Sequence, residues 1–174
     1  MVVAPAVATA RIARDRAATL PLVRNVYYLN NGALVCEGSG NLNQPQTLLD
    51  NVEEFKVFYG FDETGYQFNT DENYRPTASK FHTAAEISDL DPDARGNSPW
   101  RFVVSVYICV VIRSSETGTA AGATTTYRPC PRTESEIRTG TAAISIPADG
   151  AQRRRYAQTL ALRTFGAPMP NRGQ

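Results

Sequence analysis

The stretch WRFVVSVYICVVIR, residues 100–113, decides the fold of this chain. From Arg101 to Arg113 it is nearly continuous in Val, Ile, Phe and Tyr, and Ser105 interrupts its apolar core, Phe102–Ile112. Such runs form central strands that are covered on both faces, or at least deeply packed. The run is shorter than the roughly 20 apolar residues that a membrane-spanning helix needs. We therefore expect a central strand over residues 101–113.

Alternating segments elsewhere in the chain supply neighbours for this strand. Residues Thr47–Phe61 begin with helix-like character and end as a strand, in which Phe55, Val57 and Tyr59 share one face. Residues Arg153–Thr164 alternate as a final strand. Both segments are predicted to lie beside the central strand in one core.

A hairpin is predicted near the start of the chain. Leu22–Leu29 has strand character, Asn30-Asn31-Gly32 is a turn signal, and Ala33–Glu37 returns as the partner strand. A short strand is also predicted at Thr141–Ile146. The total is five or six strands, and short connections favour antiparallel pairing.

The rest of the chain is predicted to be irregular. Residues 62–99 are polar with scattered aromatics, and residues 114–140 form a long flexible excursion rich in Ser, Thr and Gly. Residues 1–20 are predicted to be a weak helix or mobile lead-in, residues 21–166 one globular domain, and residues 167–174 a flexible tail. The predicted fold class is therefore α+β to mostly β, with an antiparallel sheet and long irregular loops.

The composition excludes several classes of function. The 174 residues are 42% apolar and 20% charged, as in an ordinary globular protein. Eighteen basic and seventeen acidic residues leave a net charge of +1, so no nucleic-acid partner is expected. The only histidine is His82, which rules out zinc centres built on several histidines.

Two acidic groups are candidate metal sites in the sequence. Asp89–Gly96 imitates the opening of a calcium loop, but that loop needs glycine at its sixth position and glutamate at its twelfth. Here glycine stands at the eighth position and Trp100 at the twelfth. The second group is equally nonspecific and comprises Asp62, Glu63, Asp71 and Glu72. We predict no metal site.

Catalytic and cofactor patterns are similarly weak. His82 has Ser79 and Thr83 nearby, but the sequence contains no Gly-x-Ser-x-Gly elbow. The Gly38-Ser-Gly stretch lacks the third glycine of a dinucleotide-binding turn. The basic run Arg153–Arg155 is interpreted as a solvated strand start, with an anion or partner contact as the alternative. We predict no catalytic or cofactor-binding residue, and no enzymatic activity.

Three cysteines, Cys36, Cys109 and Cys130, allow one disulfide with three pairings. Composition alone fits equally well with buried thiols in a reducing compartment or with one disulfide in an oxidising one.

Four blocks in order carry a resemblance to a known family. They are VYYLNNGALVC at 26–36, LLDNVEEFKVFYGFD at 48–62, WRFVVSVYICVVIRS at 100–114 and RRRYAQTLALR at 153–163. Together they resemble the hairpin, the "LVEGVEDFQVLYGVD" segment, the tryptophan-led strand and the closing strand of PilW-type minor pilins of type IV pili. The resemblance spans about Leu22 to Arg163.

The resemblance implies a pilin-like headgroup and a structural role. Family members begin with a long hydrophobic helix that anchors them in the inner membrane; without it, this chain looks like a soluble headgroup. The implied function is that of a minor pilin in a priming or tip complex, with other minor pilins and the major pilin as partners. The implied locations are the inner membrane and periplasm before assembly and the pilus afterwards, with a contribution to adhesion or motility. The family's run of aspartates and glycines is altered at Asp62-Glu-Thr-Gly, so no ion binding is carried over.

Export to the periplasm, which the resemblance implies, favours a disulfide. We expect it between Cys109 and Cys130, tying the 114–140 excursion to the sheet, with Cys36 as a buried thiol. A Cys36–Cys130 pair would serve the same purpose if the hairpin flanks the excursion.

Other functions stay open at this point. A minor pseudopilin of type II secretion shares the headgroup architecture. A free-standing adhesive β-module and a small-molecule hydrolase belong to different classes, and the hydrolase would need a pocket at His82.

Overall fold

The fold is built around a long central strand, as the sequence predicts. The computed structural model describes residues 25–38, 44–68, 74–93, 96–117 and 124–162. Strand β6, Val103–Thr117, lies between β4, Val52–Phe61, and β7, Ala151–Ala161, and β5, Lys80–His82, lies on the far side of β4. The predicted neighbours of the central strand are thereby confirmed, with β7 beginning two residues earlier than expected.

The strands of this sheet run antiparallel. The N–H of Arg113 donates to the carbonyl of Asn51, and the N–H of Asp62 donates to that of Phe102, which fixes the direction of β4 against β6. The N–H of Leu162 donates to Val104 O and sets the direction of β7. The mostly antiparallel β architecture predicted from the sequence is confirmed.

Burial on β6 alternates rather than covering both faces equally. Val103, Ser105, Cys109 and Val111 are buried, whereas the side chains between them, such as Ile108, are half-buried. Deep packing is therefore confined to one face. The continuous apolar sequence hides this difference, because a half-buried position on a sheet also favours Val and Ile.

A three-stranded sheet precedes the central one in the chain. It consists of β1, Asn25–Asn30, β2, Ala33–Gly38, and β3, Gln46–Leu49, in the order β1-β2-β3. The predicted turn is confirmed: Asn31 and Gly32 have φ of 48° and 77°, as a tight hairpin turn requires.

The helix-like start predicted for Thr47–Phe61 is wrong. Residues 46–49 form β3, and a bend at residues 50–51, where Asn51 has a φ of 57°, separates β3 from β4. A register shift between Leu34 and Val35 accommodates β3 against β2. This irregular pairing breaks the alternation by which the strand could have been recognised.

The regions predicted to be irregular contain short helices. They are α1, Glu63–Phe68, α2, Ala84–Ser88, and α3, Glu134–Thr139, with a 3-10 turn at Pro99–Phe102. Residues 62–99 also contain β5, and β6 extends four residues into the 114–140 excursion. The strand predicted at Thr141–Ile146 is wrong, because only Ser145 forms a bridge, with Tyr127.

The chain divides into two compact units, with boundaries inside β4, β6 and β7. The first unit contains the chain up to Lys56, Cys109–Cys130 and Ala142–Tyr156; the second contains Val57–Ile108, Pro131–Thr141 and the chain from Ala157. The predicted lead-in, residues 1–20, and tail, residues 167–174, lie outside the described residues. The domain bounds 21–166 stay a prediction.

Candidate functional site

A disulfide joins two cysteines of the first unit. Cys109 of β6 and Cys130 are bonded, with Cα atoms 5.7 Å apart, and both are fully buried. The bond links positions separated by 21 residues and so fixes the end of the polar excursion to the sheet. Cys36 is a free, half-buried thiol on β2, directly opposite Tyr27.

The excursion is also held by a carboxylate of β4. Glu54 accepts a hydrogen bond from the N–H of Cys130 at 2.9 Å and another from the hydroxyl of Tyr127 at 3.3 Å. Burial raises the pKa of Tyr127, so its hydroxyl remains a donor at neutral pH. Arg155 of β7 donates to the carbonyl of Pro129 at 3.2 Å. Residues 124–130 therefore follow the sheet with defined partners.

An ion-pair cluster, consisting of Glu53, Arg113, Asp149 and Arg153, lies in the same unit. The side chain of Arg153 is only 6% exposed and contacts both carboxylates: Nε lies 2.5 Å from Oε2 of Glu53, and Nη2 lies 2.6 Å from Oδ2 of Asp149. Its guanidinium carbon lies 5.5 Å from the ring centroid of Tyr127. Arg113 approaches the same carboxylates at 3.7 Å and 3.4 Å. Two arginines thus balance two carboxylates.

Two members of the cluster, Asp149 and Arg153, shift each other's pKa. The hydrogen bonds from Arg153 hold the pKa of Asp149 well below its usual range, and the carboxylates raise the pKa of Arg153. Asp149 and Arg153 therefore stay ionised at neutral pH. The interpretation of Arg153–Arg155 as a solvated strand start is wrong for Arg153, because its guanidinium donates hydrogen bonds to Glu53, which lies 100 residues earlier in the sequence.

An open hollow of about 420 Å³ adjoins this cluster. Its lining includes Arg113, Arg153 and Arg154 together with the uncharged Thr125 and Gln152. Arg113 and Arg153 are already neutralised by carboxylates. Among the lining residues that the structure describes there are hydroxyl groups but no histidine, carboxylate or cysteine that could act as their base.

His82 lies in an aromatic cluster of the second unit. This aromatic cluster consists of Phe61, Tyr66, His82 and Phe102, and the imidazole meets the Phe61 ring edge-on at a centroid distance of 5.5 Å. Its side chain is 23% exposed, and Nδ1 lies 4.0 Å from the carboxylate of Glu86. The geometry is that of a packed aromatic side chain.

The hydroxyls beside His82 serve the backbone. Ser79 Oγ accepts from the N–H of Glu63 at 3.0 Å and donates to the Phe61 carbonyl at 3.2 Å. Thr83 caps α2 by accepting from the N–H of Glu86 at 3.3 Å. Neither hydroxyl bonds to the imidazole, so the arrangement lacks the nucleophile and base contact of a hydrolase.

The acidic groups organise loops. Asp62 is buried and accepts hydrogen bonds from the N–H of Gly65 at 3.1 Å and the hydroxyl of Tyr74 at 2.5 Å. A Cβ atom at Gly65, in the first turn of α1, would come within 2.5 Å of the Asp62 carboxylate and would displace it. Asp93, also buried, accepts from the backbone and side-chain amides of Asn97.

Within the described ranges, no group of three His, Cys, Asp or Glu residues could hold a metal ion. Asp89 is exposed, and Glu63 pairs with Lys80. The predicted candidates Asp71 and Glu72 lie outside the described residues. The acidic candidates that the structure does describe are thus not gathered into a metal-binding group.

A comparison with protein-family models assigns the chain to a family. The sequence matches the family described as "Type IV Pilus-assembly protein W" over residues 12–164, which is most of the chain. The chain belongs to the PilW family. No curated protein and no solved structure matches it.

Membership of the PilW family assigns the chain to type IV pilus assembly and to the cell envelope or pilus. The matched range contains every strand and helix from β1 to β7. Among the described residues, no helix is long and apolar enough to cross a membrane. The family resemblance inferred from the four sequence blocks is confirmed.

Sequence reasoning missed the ion-pair cluster and Glu54. Asp149 and Arg153 are four residues apart, which is a contact spacing in a helix, whereas the sequence predicts a strand that begins at Arg153. Glu54 and Cys130 are separated by 76 residues. Only the tertiary fold brings these groups together.

Proposed function

We propose that this chain is the headgroup of a minor pilin, a non-enzymatic structural subunit of type IV pilus assembly that works in the priming or tip complex. The PilW match over residues 12–164 is the observation that carries the proposal. Its partners are other minor pilins and the major pilin. It contacts the inner membrane only through an N-terminal helix of the pilin type.

The chemistry of the described side chains supports a structural role. The carboxylates with close partners are engaged internally: Glu54 holds Cys130, Asp62 caps a turn, and Asp149 is neutralised by Arg153. The single imidazole packs against Phe61. These side chains stabilise loops and turns of the fold, and none of them is placed for proton transfer or nucleophilic attack.

The apolar surface of the first unit supports a role in assembly. The side chains of Tyr27, Leu29 and Leu49 are exposed on the three-stranded sheet. Tyr27 and Leu29 are two residues apart on β1 and therefore share a face of the sheet. Leu29 is paired with Leu34, and Leu34 with Leu49, so Leu49 lies on that face too. A contiguous apolar patch on a folded subunit typically marks a protein contact.

The proposed role fixes where the protein acts. It resides at the inner membrane and in the periplasm before assembly and at the pilus tip afterwards, where it contributes to adhesion or motility. The disulfide suits the oxidising periplasm. Antibody labelling of intact pili should place the protein at their tips.

Complementation of a deletion strain tests the proposal. The full-length gene carrying His82→Ala should restore piliation, because the imidazole has a packing role. Leu29→Asp should reduce piliation strongly by placing a charge on the apolar face, whereas Thr77→Asp, at an exposed position in a loop, should not. Loss of pili with a folded His82→Ala protein would contradict the non-enzymatic role. Normal pili together with lost protein secretion would instead indicate a type II secretion subunit.

A further inference from the structure

The open hollow beside the ion-pair cluster is built from one part of the molecule. Its lining comes from three segments, namely the second half of β6, residues 125–126 and the first half of β7. All three segments belong to the first compact unit. The volume of about 420 Å³ lies within the range of small-ligand sites. The hollow is therefore large enough for one small ring with its substituents.

The walls of the hollow are held by bonds to the rest of the unit. The hydroxyl of Thr125 donates to the carbonyl of Ala151 at 2.8 Å, and the N–H of Gln152 donates to Ser114 Oγ at 3.1 Å. The disulfide at Cys130 fixes the end of the excursion that supplies residues 125–126. Walls that are already fixed lose little conformational entropy when a ligand binds, which favours binding.

One cation of the lining has no anionic partner in the described part of the chain. Arg113 and Arg153 belong to the ion-pair cluster, in which two carboxylates balance them. Arg154 is exposed, and among the described residues no hydrogen bond or ion pair engages its guanidinium. A free guanidinium binds a carboxylate through charge-assisted hydrogen bonds. The hollow therefore suits a ligand with a single negative charge.

The uncharged part of the lining favours a ligand with a hydroxylated ring. Gln152, Arg154 and Tyr156 alternate along β7 and therefore share one side of the strand. The Tyr156 side chain is 53% exposed and offers an apolar ring face with a polar tip. Thr126 and Gln152 are also exposed and add a hydroxyl and an amide, each of which can donate and accept hydrogen bonds. A sugar presents both the apolar C–H face and the hydroxyls that these groups match.

Other classes of anion fit the hollow less well. A polyphosphate or a nucleic acid needs several cations, and the described lining has one that no carboxylate balances. An acidic peptide is typically anchored by a side chain in a well-packed pocket without water. Here the hollow is open, and most of its lining is hydroxyl, amide or guanidinium. A sugar can leave part of its hydroxyls in water, as an open site requires.

We propose that this hollow binds a carboxylate-bearing sugar, namely a uronic acid or sialic acid unit of a glycan. Arg154 holds the carboxylate, Tyr156 packs against the ring, and Gln152 and Thr126 bond to hydroxyls. This assigns the anion contact, an alternative for the basic run 153–155, to the middle residue of that run. The inference rests on the proposed function only in giving its contribution to adhesion a ligand.

An NMR titration of the full ¹⁵N-labelled chain tests the site without any pilus component. The probes are the methyl glycosides of glucuronic acid, of N-acetylneuraminic acid and, as the neutral match of the first, of glucose. The amide signals of Thr126, Gln152, Arg154 and Tyr156 should shift with at least one of the acidic sugars. The neutral sugar should bind at least about tenfold more weakly, because it lacks the charge-assisted bond to Arg154.

Matched variants assign the contact to individual side chains. Arg154→Gln should lower the affinity for the acidic sugar at least about tenfold and leave that for the neutral sugar unchanged. Arg128→Gln, which alters an exposed arginine outside the lining, should leave both affinities unchanged. Tyr156→Leu should weaken both sugars alike, because both lose the ring contact. Unchanged amide signals in the rest of the chain verify that each variant is folded.

Four outcomes overturn the proposal. No shift at the hollow with either acidic sugar removes the site, and equal binding of the acidic and neutral sugars removes the carboxylate contact. Equal binding of acetate shows an anion site that does not recognise a sugar, and tighter binding of N-acetylglutamic acid methylamide makes a protein carboxylate the ligand. Failure of both acidic sugars with intact piliation rejects only this site. Sugar binding by a protein that is dispensable for piliation rejects only the proposed function.

Discussion

The two units hold their irregular segments by different chemistry. In the first, the Cys109–Cys130 disulfide, Glu54 and the ion-pair cluster fix residues 124–130. In the second, the aromatic cluster and the buried carboxylates of Asp62 and Asp93 organise the region after β4. A small sheet protein can therefore order a long loop either by a covalent bond and charges or by packing and turn caps.

The difference predicts different sensitivities. Aromatic packing loses free energy when a ring is removed, and responds little to salt or redox conditions. A disulfide depends on oxidation, and partly exposed ion pairs are weakened by salt and acid. The following predictions are ordered by expected effect.

Removing the central ring of the aromatic cluster should have the largest effect. Phe61 is 2% exposed and contacts Tyr66, His82 and Phe102, so Phe61→Ala should lower the free energy of unfolding by about 3–5 kcal/mol. Urea denaturation measures the change. Tyr156→Ala, at an exposed ring, is the control and should cost less than about 0.5 kcal/mol. A small loss for Phe61→Ala would mean that packing does not hold this unit.

Removing the disulfide should have the second-largest effect on stability. Replacing Cys109 and Cys130 together by Ala should destabilise the protein by about 3 kcal/mol, because the bond closes a loop across 21 residues. Peptide mapping without reduction should first find these two cysteines linked, with Cys36 alkylatable after unfolding. Cys36→Ala is the control. A linked fragment that contains Cys36 would overturn the assignment.

Replacing Glu54 should lower the free energy of unfolding by less than removing the disulfide does, as long as the disulfide is intact. Glu54→Gln weakens a charge-assisted acceptor of the Cys130 N–H, and we expect a loss of about 1 kcal/mol. Glu134→Gln, which affects only an exposed pair with Arg138, should cost less than about 0.5 kcal/mol. Equal effects of the two variants would show that Glu54 has no role in holding the excursion.

The smallest expected effect is the contribution of Asp149 to the pH dependence of stability. The pKa of Asp149 is lowered in the folded protein, so its contribution to stability is present above its unfolded pKa, near 4, and is lost as the pH falls toward the folded value. Thermal melts between about pH 7 and pH 3 should therefore show a smaller acid-induced decrease of Tm in Asp149→Asn than in the unchanged protein. An identical decrease would exclude Asp149 from the acid response.

Much of the fold could be read from local patterns. The hairpin turn at Asn31-Gly32 and the apolar run of β6 carry signals that need no tertiary information. Two helix starts also carry a local signal: Thr83 and Glu86 form a capping box before α2, and Thr133 caps α3 three residues before Glu136. Both match the capping-box spacing.

The contacts that hold the excursion could not be predicted in the same way. The Arg153–Glu53 pair spans 100 residues, and the Cys130–Glu54 bond spans 76. A single sequence shows residue types and the spacing between nearby residues, whereas the partners in these two contacts are far apart in the sequence. The family resemblance could be read because it rests on four ordered blocks rather than on any single contact.

Co-purification tests the central claim most directly. The full-length, affinity-tagged protein is isolated from membranes of piliated cells after brief crosslinking, and its partners are identified by mass spectrometry. We predict enrichment of other minor pilins and of the major pilin over an unrelated tagged membrane protein. Recovery of type II secretion pseudopilins in their place, or of no pilus protein at all, would contradict the assignment of this chain as a minor pilin.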